Sequence, residues 1–185
     1  MWPARHSRQL EITTNIGAKG CAVGCLVCPQ EKLYTKYNEY NDRVKHLSFE
    51  LFKIILDKVP TTTRIDFSGY AEPYLNPECS KMIKYAHDNG YLVCVYTTLV
   101  GAKKSDIDLL LKICQHPDRP FSSTDQENPL AIHLPDAGGV MPIKLTKKYF
   151  EVLEYLIVRV NQLGLIHGQN VRYMTMDTEG ELHDS

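Results

Sequence analysis

The chain has 185 residues, 43% apolar and 23% charged, with a formal net charge of −1. That is ordinary globular usage, long enough for a real core, and it lacks the strongly basic footprint of a nucleic-acid binder. No apolar run approaches the roughly 20 residues needed to cross a bilayer, and Met1 to His6 lack the apolar stretch of a secretory leader, so a cytoplasmic protein with no membrane partner is expected.

Leu10 to Asn15 reads as a first strand, with β-branched Ile12, Thr13 and Thr14. Gly17 and Gly20 then open a loop that carries three cysteines. Residues 31 to 46 are polar and without period, which predicts a loop or mobile connection. Ser48 caps a predicted helix to about Lys58, with Phe49, Phe52, Ile55 and Leu56 on one face, and Pro60 stops it. Arg64 to Ser68 is a second strand, followed by a loop from Gly69 to Asn76. Pro77 suits the first turn of a helix that ends at Asn89-Gly90. Tyr91 to Thr97 is an apolar, β-branched run, as in a strand covered on both faces. A helix starts near Ser105 and runs through Leu109, Leu110, Leu111 and Ile113. A long connection rich in Pro, Ser and Asp covers 115 to 129, Leu130 to Leu134 is a fourth strand, Thr146 caps a helix to Gln162, and Asn170 to Met176 is a fifth strand.

A strand followed by a helix, four times, then a last strand predicts an α/β chain with a parallel sheet and right-handed crossovers. No composition shift divides it, so residues 1–185 are read as one domain. A complete eight-fold barrel takes typically ~250 residues, so a partial (βα) barrel of five to six strands is expected.

Six cysteines stand at 21, 25, 28, 79, 94 and 114. In a reducing compartment, clustered cysteines point to metal or catalysis rather than a disulfide framework. Cys79, Cys94 and Cys114 sit in apparently regular segments and are expected as small core hydrophobes. Cys21, Cys25 and Cys28 follow the first strand as C-x3-C-x2-C. Three thiolates on one short loop can ligate three irons of a cubane, and the lack of a fourth nearby leaves one iron open to bind something. Gly17, Gly20 and Gly24 permit the tight backbone path. The same residues also allow a structural zinc site completed by His6 or His46, although neither lies at a compact zinc-knuckle spacing.

The second strand runs into Ser68-Gly69-Tyr70-Ala71-Glu72-Pro73-Tyr74-Leu75-Asn76-Pro77. Ligands in parallel α/β folds bind at the carboxyl ends of strands. Gly69 allows close backbone approach there, and Glu72 offers an acceptor for an ammonium group. A carboxylate beside a helix start is favourable without any ligand.

Together these two motifs resemble those of the radical S-adenosylmethionine superfamily: C-x3-C-x2-C after the first strand and a Gly-Gly-Glu-Pro-like turn after the second. The resemblance spans the element order from about residue 10 to 176, with its specific content in residues 21–28 and 68–77. It implies a partial barrel, a 4Fe-4S cluster on Cys21, Cys25 and Cys28, and S-adenosyl-L-methionine chelating the open iron. It further implies an external electron donor and reductive cleavage to a 5′-deoxyadenosyl radical that abstracts a substrate hydrogen. The enzyme class implied is an oxidoreductase or transferase.

By resemblance, Val27 lies where the family places an aromatic residue beside the adenine, and Glu72 binds the methionine amino group, with Gly69 in the same looser match to the second motif. Thr97 and Thr98 end the third strand at the same mouth. His133 and Asp136 end the fourth, where the family has a polar residue for the ribose, and Lys144 is placed toward the cofactor carboxylate. Strand-end polar residues are common without function, and no residue is assigned a catalytic role. The substrate is not written in these motifs.

Two other readings stay open at this point: an iron–sulfur redox or binding module without radical chemistry, and a structural zinc protein. Tyr34, Tyr37 and Tyr40 are read as a surface loop, with cover of the site as the alternative. The acidic tail from Asp177 to Ser185 has only Leu182 as an apolar anchor and is expected to cover the fifth strand poorly. A truncated barrel, a second copy of the chain, or a large peptide or macromolecular substrate would each account for an open side.

Overall fold

Alternating side chains decide which way each strand faces. The computed structural model describes residues 8–16, 21, 23–40, 44–115, 129–136, 138–165, 167, 170–176 and 182–184. Gly17, Gly20, His6, the stretch 116–128 and residues 177–181 lie outside the described residues. The elements are β1 (Gln9–Ile12), α1 (Gln30–Tyr40), α2 (Phe49–Leu56), β2 (Arg64–Phe67), α3 (Cys79–Asp88), β3 (Val93–Thr97), α4 (Lys104–Cys114), β4 (Leu130–His133), α5 (Lys147–Gln162), β5 (Val171–Met176) and β6 (Leu182–Asp184).

The six strands form one sheet in the order β1-β2-β3-β4-β5-β6. The first five run parallel, and β6 pairs antiparallel with β5. Each parallel neighbour follows the last in the chain, so crossovers of one hand wind the sheet in one direction and bring α2 to α5 to one face. Side chains at every second position make that face: Ile12, Ile65, Phe67, Val93, Val95, Leu130, Ile132 and Val171 join one buried cluster. Phe52 and Leu56 of α2, Met82 and Ile83 of α3, Ile107 and Leu110 of α4, and Val152 and Leu156 of α5 pack into it. Burying a side chain of this size contributes about 1.5–3 kcal/mol. The intervening positions turn to the other face. There Arg64 donates to Asp66 from Nε at 2.7 Å and from a terminal nitrogen at 2.8 Å, and to Gln9 at 2.8 Å.

The predicted caps form. Ser48 Oγ accepts the Leu51 N–H at 3.2 Å, and Thr146 Oγ1 accepts the Tyr149 N–H at 3.1 Å. Asp106 accepts the Lys103 N–H at 2.8 Å, which starts α4 one residue before Ser105. Cys79, Cys94 and Cys114 are buried, as expected.

Four expectations are corrected. β1 ends at Ile12 rather than Asn15, because Thr14 and Asn15 are drawn to the turn after β2. There Thr14 Oγ1 donates to the Pro73 carbonyl at 3.1 Å and Asn15 Nδ2 to the Glu72 carbonyl at 2.7 Å. Most of the described part of 31–46, read as loop, is helix: α1 covers Gln30–Tyr40. It buries only Gln30 and so has no apolar period to show. Local terms hold it, including Pro29 at its start, whose carbonyl accepts the Lys32 and Leu33 N–H groups. Pro77 precedes α3 by two residues instead of entering its first turn. The tail is not a poor cover for β5: residues 182–184 pair with 174–176 by backbone, and backbone pairing requires no apolar anchor.

Candidate functional site

The cysteine loop lies over the carboxyl ends of the strands because both its ends are tied down. At one end Gln30 Oε1 accepts the Cys21 N–H at 2.6 Å. At the other, the Leu26 N–H donates to the Val140 carbonyl, in the loop after β4, at 2.9 Å. Gly24 takes a left-handed φ of +71° between them, a conformation open to glycine at little cost. The Cys28 N–H closes a turn onto the Cys25 carbonyl at 3.2 Å.

Beneath this loop is a cavity of about 310 Å³, at the low end of the size range for small-molecule sites. Cys21, Cys25, Val27, Cys28 and Gln30 line it from the loop. Ser68, Gly69, Tyr70, Ala71 and Glu72 line it from the end of β2, Tyr96, Thr97 and Thr98 from β3, and His133 and Met141 from β4 and its loop. The three cysteines are therefore gathered with six further residues singled out from the sequence: Val27, Gly69, Glu72, Thr97, Thr98 and His133.

Glu72 is 2% exposed. Its Oε1 accepts the Thr97 hydroxyl at 2.6 Å and the Tyr74 N–H at 3.2 Å. Its Oε2 accepts the Thr98 N–H and the Thr98 hydroxyl, each at 2.7 Å. Burial raises its pKa, and these bonds work against that rise. All four acceptor positions of the carboxylate are used within the chain, so Glu72 latches the turn after β2 to the end of β3. Leu99, next in line, has φ +64°, an uncommon conformation for a β- or γ-branched residue that the surrounding packing must impose.

Gly69 is needed for its backbone. Its φ is +90°, and a Cβ there would lie 2.2 Å from Thr13 Oγ1 and 3.2 Å from Glu11 Oε1. Val27 is 47% exposed at the rim. The His133 Nε2 is buried without a hydrogen-bond partner among the described residues, and burial brings its pKa down to about 4, which keeps the ring neutral at pH 7. Asp136 does not line the cavity. It accepts the Val140 N–H at 3.0 Å and the Met141 N–H at 2.6 Å, shaping the loop that carries Val140 to Leu26. Lys144 belongs to a second cavity, of about 240 Å³, beside Tyr149 and Val23. Tyr34, Tyr37 and Tyr40 lie on α1 and line neither cavity.

Burial pushes the Cys21 thiol up, and it pushes Cys25 up to about 11 with added repulsion from Cys21 and Cys28. Against this, the Val23 and Glu72 N–H groups favour the Cys21 thiolate. Such a set suits a cationic group, which removes the repulsion and takes the thiols as thiolates. Among the described residues no three His, Cys, Asp or Glu side chains converge on a single metal-ion position. A cluster asks for less convergence, because each of its thiolates binds a different iron.

Gln30, Tyr96 and Met141 were not singled out from the sequence, and Ser68 and Tyr70 were named there only within the motif that follows the second strand. Ser68 and Tyr96 could have been found, since they fall on the alternate positions opposite the apolar face of β2 and β3. Nothing local marks Gln30 or Met141.

Fold and cavity define an α/β protein with a parallel sheet and a ligand-sized, cysteine-bearing cavity at its carboxyl edge. No protein-family model, no curated protein and no solved structure matches the chain.

Proposed function

We propose that this chain is a radical S-adenosylmethionine enzyme, with its one-way sheet forming a partial barrel. The observation that supports this is the meeting of Cys21, Cys25 and Cys28 with the carboxyl ends of β2, β3 and β4 around one cavity. In this reading the three thiolates hold a 4Fe-4S cluster, and S-adenosyl-L-methionine occupies the space between the loop and the strand ends. When bound and reduced by an external donor, the pair supplies a 5′-deoxyadenosyl radical for hydrogen abstraction.

The chain's own part is to hold and shield. The cysteine loop roofs the cavity and limits water. Glu72 borders the amino end of the cofactor and keeps the turn after β2 against β3. His133 offers a neutral ring nitrogen, unpaired in the described structure, to a ligand hydroxyl. Val27 supplies an apolar contact at the rim. No helix among the described residues is long and apolar enough to cross a membrane, and a cytoplasmic site of action, where thiols stay reduced, is part of the proposal.

The test is anaerobic reconstitution with iron and sulfide, followed by addition of dithionite and S-adenosylmethionine. Stoichiometric iron and sulfide, and release of 5′-deoxyadenosine, are expected. Zinc in place of iron, or a cluster that yields no 5′-deoxyadenosine, refutes the reading.

A further inference from the structure

The loop that carries the three thiols is closed by a residue that is not one of them. Gln30 opens α1 two positions after Cys28, is 6% exposed, and lines the cavity together with the cysteines. Its Oε1 accepts the Cys21 N–H at 2.6 Å, across nine positions of sequence. A backbone N–H only donates, so the amide oxygen must face it, and the two amide protons of Gln30 are left for other acceptors.

The rest of the loop has its own supports. Cys28 is held to Cys25 by a turn, and Leu26 is tied to Val140. Cys21 is set off from this part by Gly24 in its left-handed conformation. The Gln30 side chain joins the first thiol to the segment that follows the last.

We propose that Gln30 is a positioning residue for the metal centre, an inference that rests on the cluster reading above. Its oxygen holds Cys21 in place relative to Cys25 and Cys28, and its amide group lines the same cavity as the thiols, with protons to give to a group bound there. Outer groups of this kind orient ligands, and hydrogen bonds to sulfur set the potential of iron–sulfur centres.

Two variants separate the two roles. Gln30→Ala removes oxygen and amide together. Gln30→Glu keeps an acceptor for the Cys21 N–H but replaces the donor by negative charge. The full chain is first alkylated with iodoacetamide in its metal-free form, with Cys21 followed by mass spectrometry. The reconstituted protein is then measured for loss of iron to a chelator and for reduction potential by a titration followed by electron paramagnetic resonance.

For Gln30→Ala, faster alkylation of Cys21 and about 10-fold faster iron loss are expected, the lower end of the effect of losing an outer-shell partner. For Gln30→Glu, near wild-type alkylation and iron retention are expected, with a reduction potential shifted to more negative values. Thermal melts accompany each variant, and if the alanine form fails to fold, the glutamate form carries the test. Wild-type behaviour of Gln30→Ala in both alkylation and iron loss, or an unshifted potential in Gln30→Glu, overturns the proposal. Should the wild type take up no iron, the enzyme reading fails, while the alkylation comparison still decides whether Gln30 holds the loop.

Discussion

Thr98 grips the Glu72 carboxylate twice, through its backbone N–H and its hydroxyl, each at 2.7 Å. With Thr97 and Tyr74 on the other oxygen, this makes a buried acid the joint between the ends of two neighbouring strands.

Replacing that acid by its amide tests the joint. Whichever oxygen of Glu72 becomes nitrogen, it meets a backbone N–H, from Tyr74 on one side or Thr98 on the other. Glu72→Gln is expected to lower the stability of the metal-free protein by about 2–3 kcal/mol, the effect of an unsatisfied buried donor and a weakened charged hydrogen bond. Urea unfolding of wild type and variant measures it. An unchanged urea midpoint would show that the carboxylate is not held as described.

Alanine at Cys21, Cys25 or Cys28 is expected to abolish cluster assembly, since water replaces a thiolate poorly in an iron–sulfur site. Alanine at Cys79, Cys94 or Cys114 removes a small buried group and leaves the cluster in place, at a stability loss of about 1 kcal/mol. Iron and sulfide analysis after anaerobic reconstitution distinguishes the two sets. Full iron in Cys25→Ala would exclude the ligand assignment.

The half-buried ring of His133, with its Nε2 out of solvent, predicts an acid sensitivity. Its pKa in the folded chain is about 4, against an ordinary 6.5. Between these values the unfolded chain binds the proton and the folded chain resists it, so stability is lost as pH falls through this window. From pH 7 to pH 5 the loss due to this one group is about 2 kcal/mol. His133→Gln is expected to remove it. Urea midpoints of both proteins at the two pH values provide the measurement, and an identical pH dependence would remove His133 as the cause.

Gly69→Ala meets two obstacles, a φ of +90° and the Thr13 hydroxyl at 2.2 Å from the new methyl. A loss of about 2 kcal/mol is expected. Combining it with Thr13→Ala should recover the part due to the contact and leave the part due to φ. Thermal melts of the two single variants and the double variant resolve this, and strict additivity would show that the two residues do not touch.

Local chemistry was legible from the residues alone. The alternation of strands and helices follows from apolar period, the starts of α2 and α5 from the side chains of Ser48 and Thr146, and the place of the three cysteines from their spacing after a strand. Each of these depends on residues a few positions apart. Helix α1 was hidden because it buries only Gln30, and a helix that packs no apolar stripe has no period to read. Strand β6 was hidden because its pairing with β5 is made by backbone, which every sequence carries. The saturation of Glu72 by Thr97 and Thr98, the closure of the cysteine loop by Gln30 and its tie from Leu26 to Val140 were decided only by tertiary structure. These bonds join groups from separate elements, whose approach is set by how the helices pack on the sheet and not by any pattern within one segment.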